Sequence, residues 1–192
     1  MIVPDTLLVR SMRHIPNLIS LLRIALVLPL VLAMRDGQHE RILVLFALAA
    51  VSDALDGFLA KRFGWTSNLG RILDPVADKL LLVTVFITAA WLDIAPWWLT
   101  AAAVARDLMI AAGALIYRVW FGPLHGRPTV ISKINTGLQL LYLAAVVLAS
   151  ATAFPPREVL DALAAIVLVT ILASGADYLC RFLRRAYAQA GN

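Results

Sequence analysis

Long apolar stretches separated by short polar connections run along nearly the whole chain. A helix needs about 20 mostly apolar residues to cross the hydrocarbon core of a bilayer. Six stretches meet this requirement, over residues 15–34, 42–60, 72–92, 96–120, 131–154 and 159–183. The connections are too short to hold a soluble domain. The pattern therefore predicts an all-α integral membrane protein with six transmembrane helices, forming one membrane domain over residues 1–192.

The first fourteen residues mix basic and apolar side chains. Arg10 and Arg13 stand beside Leu7 and Leu8, a combination typical of a short interfacial helix lying on the membrane. A cleaved signal peptide is the alternative. The apolar run that follows is too long for one, and residues 32–35 make a poor cleavage site.

Basic residues near the span ends are divided unevenly between the two membrane faces. Arg35, Arg41 and Arg157 lie on one face. The other face holds Arg10, Arg13, Lys61, Arg62, Arg71, Arg118, Arg127, Lys133, Arg181, Arg184 and Arg185. Cytoplasmic loops collect Lys and Arg. We therefore expect both termini and the even-numbered connections to face the cytoplasm, in a bacterial inner membrane.

Composition supports lipid as the solvent of this chain. Hydrophobic residues make up 61% and charged residues 15%, against roughly 45–50% and 25% in soluble proteins. The net charge of +5 is explained by the cytoplasmic loops, so no nucleic-acid partner is predicted. A single cysteine and three scattered histidines exclude an intramolecular disulfide and a Cys- or His-based metal site.

Four aspartates interrupt the second and third spans at their predicted cytoplasmic ends. Asp53 and Asp56 are three residues apart, and Asp74 and Asp78 are four apart, so each pair shares one helix face. The two helices are expected to be antiparallel neighbours. Four carboxylates in one poorly solvated place repel each other strongly unless a cation lies between them. Oxygen ligands in this number suit Mg²⁺ or Mn²⁺, and two such ions suit a diphosphate.

Other charges within the spans leave two interpretations open. Lys79 and Arg71 can neutralise part of the aspartate cluster. Arg23, Arg106 and Asp177 either face a polar cavity or form ion pairs that hold the helices together.

Small residues are interleaved with the aspartates. Gly57 follows Asp56, Ala60 lies one turn later, and Gly70 precedes Asp74. Small side chains here let a ligand approach the backbone, although close helix packing is the common alternative.

The residues spell D-x2-D-G-x2-A-K-x8-G-x3-D-x3-D over positions 53–78. This pattern resembles the signature of the CDP-alcohol phosphatidyltransferases, except that Lys61 stands where the family usually has arginine. Three further stretches resemble the branch that makes phosphatidylglycerophosphate and cardiolipin: PNLISLLR at 16–23, LDPVADK at 73–79 and Arg106-Asp107.

The resemblance implies transfer of a phosphatidyl group from CDP-diacylglycerol to a hydroxyl acceptor, with release of CMP. It implies two divalent cations, Mg²⁺ or Mn²⁺, held by Asp53, Asp56, Asp74 and Asp78. Asp78 is also the expected general base on the acceptor hydroxyl. The implied CDP-binding residues are Asp53, Asp56, Gly57, Ala60, Lys61 and Gly70. Dimers are usual in the family, so a homodimer is a possible assembly.

The acceptor is expected to be glycerol-headed. The resemblance implies acceptor or phosphate contacts by Asn17, Arg23, Arg106, Arg118, Lys133 and Asn135. Arg118 and Lys133 can equally be plain interfacial anchors. Family members that use glycerol 3-phosphate carry two further cations, and this chain has Ala114 and Asn135 at those places.

The absence of these two cations favours phosphatidylglycerol, and hence cardiolipin synthesis, over glycerol 3-phosphate and phosphatidylglycerophosphate synthesis. The stretch PTVISKINT at 128–136 resembles the eukaryotic-type cardiolipin synthases in the same way. A small ion-coupled carrier is the alternative from another class. It is disfavoured because no inverted repeat is found and the acids lie at one membrane face.

Overall fold

The computed structural model describes residues 15–63, 70–121 and 129–190, which form helices without any strand. The six helices are α1 Ile15–Arg35, α2 His39–Phe63, α3 Gly70–Trp91, α4 Trp97–Phe121, α5 Val130–Thr152 and α6 Arg157–Ala190. Each predicted span coincides with one of them, so the all-α prediction is confirmed. The predicted interfacial segment, residues 1–14, lies outside the described residues.

Four of the helices are long and apolar enough to cross a membrane: Asn17–Arg35, Trp97–Trp120, Val130–Thr152 and Arg157–Arg184. The chain is accordingly a membrane protein. Helix α3 does not qualify by the same measure, because Asp74, Asp78 and Lys79 lie in its first half. The apolar part that follows them is too short. Six membrane crossings therefore stay a prediction.

Apolar side chains cover the outer faces of these helices. In α4, Leu108, Leu115 and Val119 are 64%, 63% and 71% exposed. Such a face is unfavourable in water and suits lipid tails. Trp91 and Trp120 stand exposed at helix ends, where tryptophan is enriched at membrane interfaces.

The helix ends have local chemical causes. After α1 the chain turns at Gly37, whose φ of +64° lies in the left-handed region that glycine adopts without strain. The amides of Gly37 and Gln38 donate back to the carbonyls of Met34 and Ala33. Helix α5 begins after Thr129, whose hydroxyl accepts from the Ser132 amide at 3.2 Å.

The chain divides into two compact units, Met1–Leu92 and Asp93–Asn192. In the first unit, α1 packs against both α2 and α3. Its core is formed by small and large apolar residues, among them Leu30, Ala49, Val85 and Phe86. No finding tests the single domain predicted for residues 1–192, so it stays a prediction.

In the second unit, α6 packs against both α4 and α5. Its core includes Leu99, Leu143, Val167 and Ile171. Each unit therefore has one helix that contacts two others. Among the described residues, that helix buries Asn17, Ser20 and Arg23 in the first unit and Ser174 in the second, which lipid and apolar packing alone do not explain.

Candidate functional site

Helix α1 buries a polar face within the first unit. Asn17, Ser20 and Arg23 follow at intervals of three residues and are 6%, 0% and 1% exposed. This spacing places all three on one side of the helix. Burying polar groups without partners is costly in a low-dielectric surrounding, so their partners define the site.

The partners are three of the predicted aspartates. Arg23 Nη1 lies 3.1 Å from Asp53 Oδ1 on α2 and also donates to Asp78 Oδ1 on α3. Ser20 Oγ donates to Asp74 Oδ1 on α3. The α1 face therefore joins the acids of two helices, and a single guanidinium bridges Asp53 and Asp78. We name Asp53, Asp74, Asp78, Ser20 and Arg23 the carboxylate cluster.

The structure describes only some of the remaining predicted residues of the signature. Gly70 is buried at the start of α3. Positions 56–61 belong to helix α2, but the side chains of Asp56, Ala60 and Lys61, and the surroundings of Gly57, lie outside the described residues. Their proposed ligand contacts stay predictions.

The charge of the carboxylate cluster suits a cation. It contains three carboxylates against one guanidinium. The side chains of Asp53 and Asp78 are 50% and 47% exposed, so their remaining oxygen lone pairs are accessible. Hard divalent cations prefer such oxygen ligands.

The donor chemistry of the cluster thus fits Mg²⁺ or Mn²⁺. Among the side chains that the structure describes, however, no three acidic or histidine groups are close enough to form a metal site by themselves. Asp56, the fourth predicted ligand, is not among them.

A second polar cluster lies in the second unit around Arg106. This arginine of α4 is 6% exposed. Its Nη1 donates to Asp107 Oδ1 at 2.8 Å, and its Nη2 donates to Ser132 Oγ of α5 at 2.7 Å and to Ser174 Oγ of α6. One guanidinium therefore ties three helices together, while its Nε has no partner among the described residues.

Polar side chains continue along the buried face of α5. Thr170 Oγ1 of α6 lies 3.1 Å from Asn135 Oδ1, and Gln139 follows one turn later. Asn135 and Gln139 are both 0% exposed. Asn135 Nδ2 and both polar atoms of the Gln139 side chain have no partner within the described part of the chain. A buried polar group left unpaired costs about 1–3 kcal/mol, so these three atoms require an explanation.

The structure separates the predicted acceptor residues into different settings. Asn17 and Arg23 belong to the buried α1 face of the first unit, whereas Arg106 and Asn135 belong to the second unit. Arg118 and Lys133 are exposed, as expected for an anchor or an open ligand site. No finding tests their contact with an acceptor.

Asp177 forms an ion pair along its own helix, while its Oδ2 is buried without a hydrogen-bond partner among the described residues. It accepts from Arg181 Nε at 2.8 Å, one turn later on α6. This pair lies within one helix, so an ion pair that holds two helices together stays a prediction for Asp177. Nearby, Gly113 leaves room for Tyr178, because a Cβ there would lie 3.0 Å from the tyrosine ring. Tyr178 Oη donates to the Ile110 carbonyl at 3.1 Å.

The sequence did not predict the hydroxyl and amide partners. Ser20 and Ser132 lie within stretches that resemble the family but imply no role for them, and Ser174, Thr170 and Gln139 lie outside these stretches. A usable signal exists for α5, where Ser132, Asn135 and Gln139 recur at three- and four-residue intervals within an apolar run.

Comparison with known proteins identifies the signature. A family model described as CDP-alcohol phosphatidyltransferase matches residues 13–175. A cardiolipin synthase (CMP-forming) of Rattus norvegicus is 36% identical over 147 residues, which cover 68% of this chain and 49% of the relative. A probable phosphatidylglycerophosphate synthase of Mycobacterium tuberculosis is 30% identical over 184 residues, which cover 89% and 82%.

A third relative is a CDP-diacylglycerol–glycerol-3-phosphate 3-phosphatidyltransferase of Pectobacterium atrosepticum. It is 35% identical over 142 residues, covering 69% of this chain and 75% of the relative. The chain spans about half the length of the mammalian relatives it matches. Of these three relatives, one is named for cardiolipin synthesis and two for phosphatidylglycerophosphate synthesis or transfer to glycerol 3-phosphate.

Proposed function

The chain belongs to the CDP-alcohol phosphatidyltransferase family, and from that membership we propose that it transfers a phosphatidyl group from CDP-diacylglycerol to a glycerol-headed acceptor, releasing CMP. The observation that carries the proposal is the carboxylate cluster. Three aspartates of the family signature meet one buried polar face of α1, at the spacing that the signature requires.

In this proposal Asp53, Asp56, Asp74 and Asp78 hold two divalent cations, Mg²⁺ or Mn²⁺. When bound, such ions neutralise charge on the transferred phosphoryl group and on the departing CMP. Gly57, Ala60, Lys61 and Gly70 lie against the cytidine and its phosphates. Ser20 and Arg23 hold the carboxylates in place from α1.

Asp78 has a second proposed task. It takes the proton from the attacking hydroxyl of the acceptor, which raises the nucleophilicity of that oxygen. Its side chain is about half exposed (47%), so an incoming hydroxyl can reach the free carboxylate oxygen. The hydroxyl oxygen bonds to the phosphorus that carries diacylglycerol, and the bond from that phosphorus to CMP breaks.

The preferred acceptor in this proposal is phosphatidylglycerol, which makes the chain a cardiolipin synthase. Support comes from the second unit, where Asn135 is a neutral, fully buried amide and Ala114 has no charge. Arg106 supplies one cation for the single negative charge of a phosphodiester. Arg118 and Lys133 assist at the membrane interface.

Phosphatidylglycerophosphate synthesis from glycerol 3-phosphate is the second candidate. The buried guanidinium of Arg106 favours it, because its Nε has no partner among the described residues and can serve a second phosphate oxygen. Two of the relatives above carry names of that activity.

The proposed location is a bacterial inner membrane, crossed six times, with both termini and the carboxylate cluster at the cytoplasmic side. The excess of Lys and Arg on that side supports it. A homodimer also stays a prediction.

An acceptor screen tests the proposal. Purified full-length protein is given CDP-diacylglycerol with Mg²⁺ or Mn²⁺ and, in separate reactions, phosphatidylglycerol or glycerol 3-phosphate. CMP release that depends on both metal and acceptor is expected, with cardiolipin as the main product. Absence of CMP with every glycerol-headed acceptor contradicts the proposal and favours the carrier.

A further inference from the structure

The buried face of α5 contains polar side-chain atoms that have no hydrogen-bond partner among the described residues and no assigned role in the proposed reaction. Gln139 is 0% exposed, and neither its Oε1 nor its Nε2 has a partner among the residues described. Asn135 Nδ2, one turn earlier, is also buried without a hydrogen-bond partner in the described part of the chain. Beyond Gln139 the same face continues largely apolar, with Leu143, Val146 and Val147.

Three neighbouring contacts connect these atoms to Arg106. Thr170 pairs with Asn135, and Ser174 lies one turn beyond Thr170 on α6. Ser174 in turn accepts from Arg106, as Ser132 of α5 does. Long side chains on a helix generally lean toward its N-terminus, and on α5 this is the direction from Gln139 to Asn135 and Ser132.

The donor and acceptor properties of these unpaired atoms indicate which kind of ligand they can bind. Asn135 Nδ2 and Gln139 Nε2 donate, whereas Gln139 Oε1 only accepts. A phosphate only accepts, so it would leave Gln139 Oε1 unpaired. A hydroxyl group both donates and accepts, and it satisfies the two amides together. The arginine beside them suits a phosphate on the same molecule.

We infer that Gln139 and Asn135 form a subsite for the non-reacting secondary hydroxyl of the acceptor's glycerol, next to an anion site at Arg106. The inference rests on the proposed function. It adds a specificity-determining residue, Gln139, which binds a hydroxyl shared by phosphatidylglycerol and glycerol 3-phosphate. Without acceptor, water can occupy the same place.

Two matched pairs of acceptors test the subsite. Phosphatidylglycerol is compared with phosphatidyl-1,3-propanediol, and glycerol 3-phosphate with 3-hydroxypropyl phosphate. Each second member keeps the attacking primary hydroxyl and lacks the secondary one. In at least one pair, the kcat/KM of purified wild-type protein should be about tenfold higher, or more, for the acceptor that has the secondary hydroxyl. The pair that responds identifies the lipid or the free phosphate as the source.

Gln139→Leu should remove this preference, because only the hydroxylated acceptor loses a partner, and the KM for CDP-diacylglycerol should not change. Gln139→Met serves in the same way if the leucine variant does not insert. Ser150→Ala is the matched control on α5, since the Ser150 hydroxyl donates only to the Val147 carbonyl of its own helix in the described contacts, at 2.7 Å. It should keep the wild-type preference.

The outcomes separate the two claims. Wild-type CMP release without a preference within either pair overturns the subsite and indicates bound water only. If a Gln139 variant lowers kcat/KM equally for both acceptors of a pair, the subsite is also overturned, and the residue then serves helix packing. Absence of CMP release with all four acceptors overturns the proposed function, and the subsite with it.

Discussion

Both units bury an arginine among polar side chains, but the two surroundings are opposite in character. Around Arg23 there are two carboxylates, each about half exposed (50% and 47%), and Ser20 holds a third. Around Arg106 there are two serine hydroxyls and one acid, its direct neighbour Asp107. The first cluster has spare negative charge on half-exposed carboxylates. The second is buried, has one acid for its one guanidinium, and keeps unpaired polar atoms among the described residues.

In the proposed function, the two clusters bind two different kinds of polar ligand. Spare carboxylate oxygens attract divalent cations and, through them, a diphosphate. A buried guanidinium with hydroxyls and amides suits a molecule with one phosphate and neighbouring hydroxyl groups.

The largest effect is expected from the carboxylate cluster. Asp53→Asn or Asp74→Asn should abolish CMP release, because each change replaces an anionic ligand with a neutral amide of the same size. Protein yield should stay close to wild type, and the unfolding midpoint in detergent should fall less than in Arg23→Met, because Arg23 keeps Asp78 as a partner. Glu40→Gln, an exposed acid in the first turn of the same α2, is the control for Asp53. Activity above about a tenth of wild type at saturating metal would argue against direct ligation.

A smaller loss is expected at the proposed base. Asp78→Asn should leave CDP-diacylglycerol binding largely intact and reduce turnover by about 10²–10⁴-fold, the range of general-base catalysis. Equilibrium binding and single-turnover rates measure the two effects separately. If binding and turnover fall together, Asp78 acts mainly as a metal ligand.

The helices were predictable because their cause is local. Apolar runs of membrane-spanning length predict a helix wherever they occur, and five of the six observed helices end within three residues of the prediction. Helix α6 is the exception, since it continues to Ala190 through the polar residues Arg184 and Arg185. The length of an apolar run indicates how much of a helix can lie in lipid. It does not fix the end of the helix, which can continue beyond the run.

The candidate site was predictable only where the spacing of residues within one helix or one signature indicates that they lie together. The spacing of Asp53, Asp74 and Asp78 indicated a shared site. In the structure Asp53 and Asp78 contact one guanidinium, and Asp74 contacts Ser20 on the same face of α1. The bridging role of Arg23 depends on how α1 packs between α2 and α3, which no spacing within α1 reveals. Gln139 was missed for the same reason. The role of a polar residue in an apolar run can be inferred only when the face on which its helix packs is known.

Arg23 itself provides the third prediction. Arg23→Met removes a buried cation and leaves Asp53 and Asp78 to repel each other. Breaking a buried ion pair costs about 3–5 kcal/mol, and we expect the lower end because both carboxylates are about half exposed. Unfolding in detergent should show this loss, and added Mg²⁺ should stabilise the variant more than wild type.

Arg23→Lys is the matched variant, since it keeps the charge but loses the planar fork that contacts two carboxylates. It should fall between wild type and Arg23→Met in stability. An unchanged unfolding midpoint for Arg23→Met would contradict the bridging role of the guanidinium.

The smallest effect is expected from changing the acceptor preference in the second unit. Ala114 lies half-buried on α4, eight residues and two turns after Arg106, and Asn135 is fully buried beside Thr170. A phosphomonoester carries close to two negative charges, and each hydrogen bond to a charged group contributes about 1.5–3 kcal/mol. Wild-type protein, which lacks both cations, should make cardiolipin from phosphatidylglycerol faster than phosphatidylglycerophosphate from glycerol 3-phosphate.

Ala114→Arg combined with Asn135→Lys should shift the ratio of the two products toward phosphatidylglycerophosphate. We expect a shift of only about tenfold, because an ammonium at the buried position 135 loses hydration that its new contact must first offset. Ala114→Arg alone should give much of the shift, and Ala114→Gln, which has a long side chain without charge, should give none. A wild-type preference for glycerol 3-phosphate would contradict the argument from Ala114 and Asn135 and would leave Arg106, Arg118 and Lys133 to hold its phosphate.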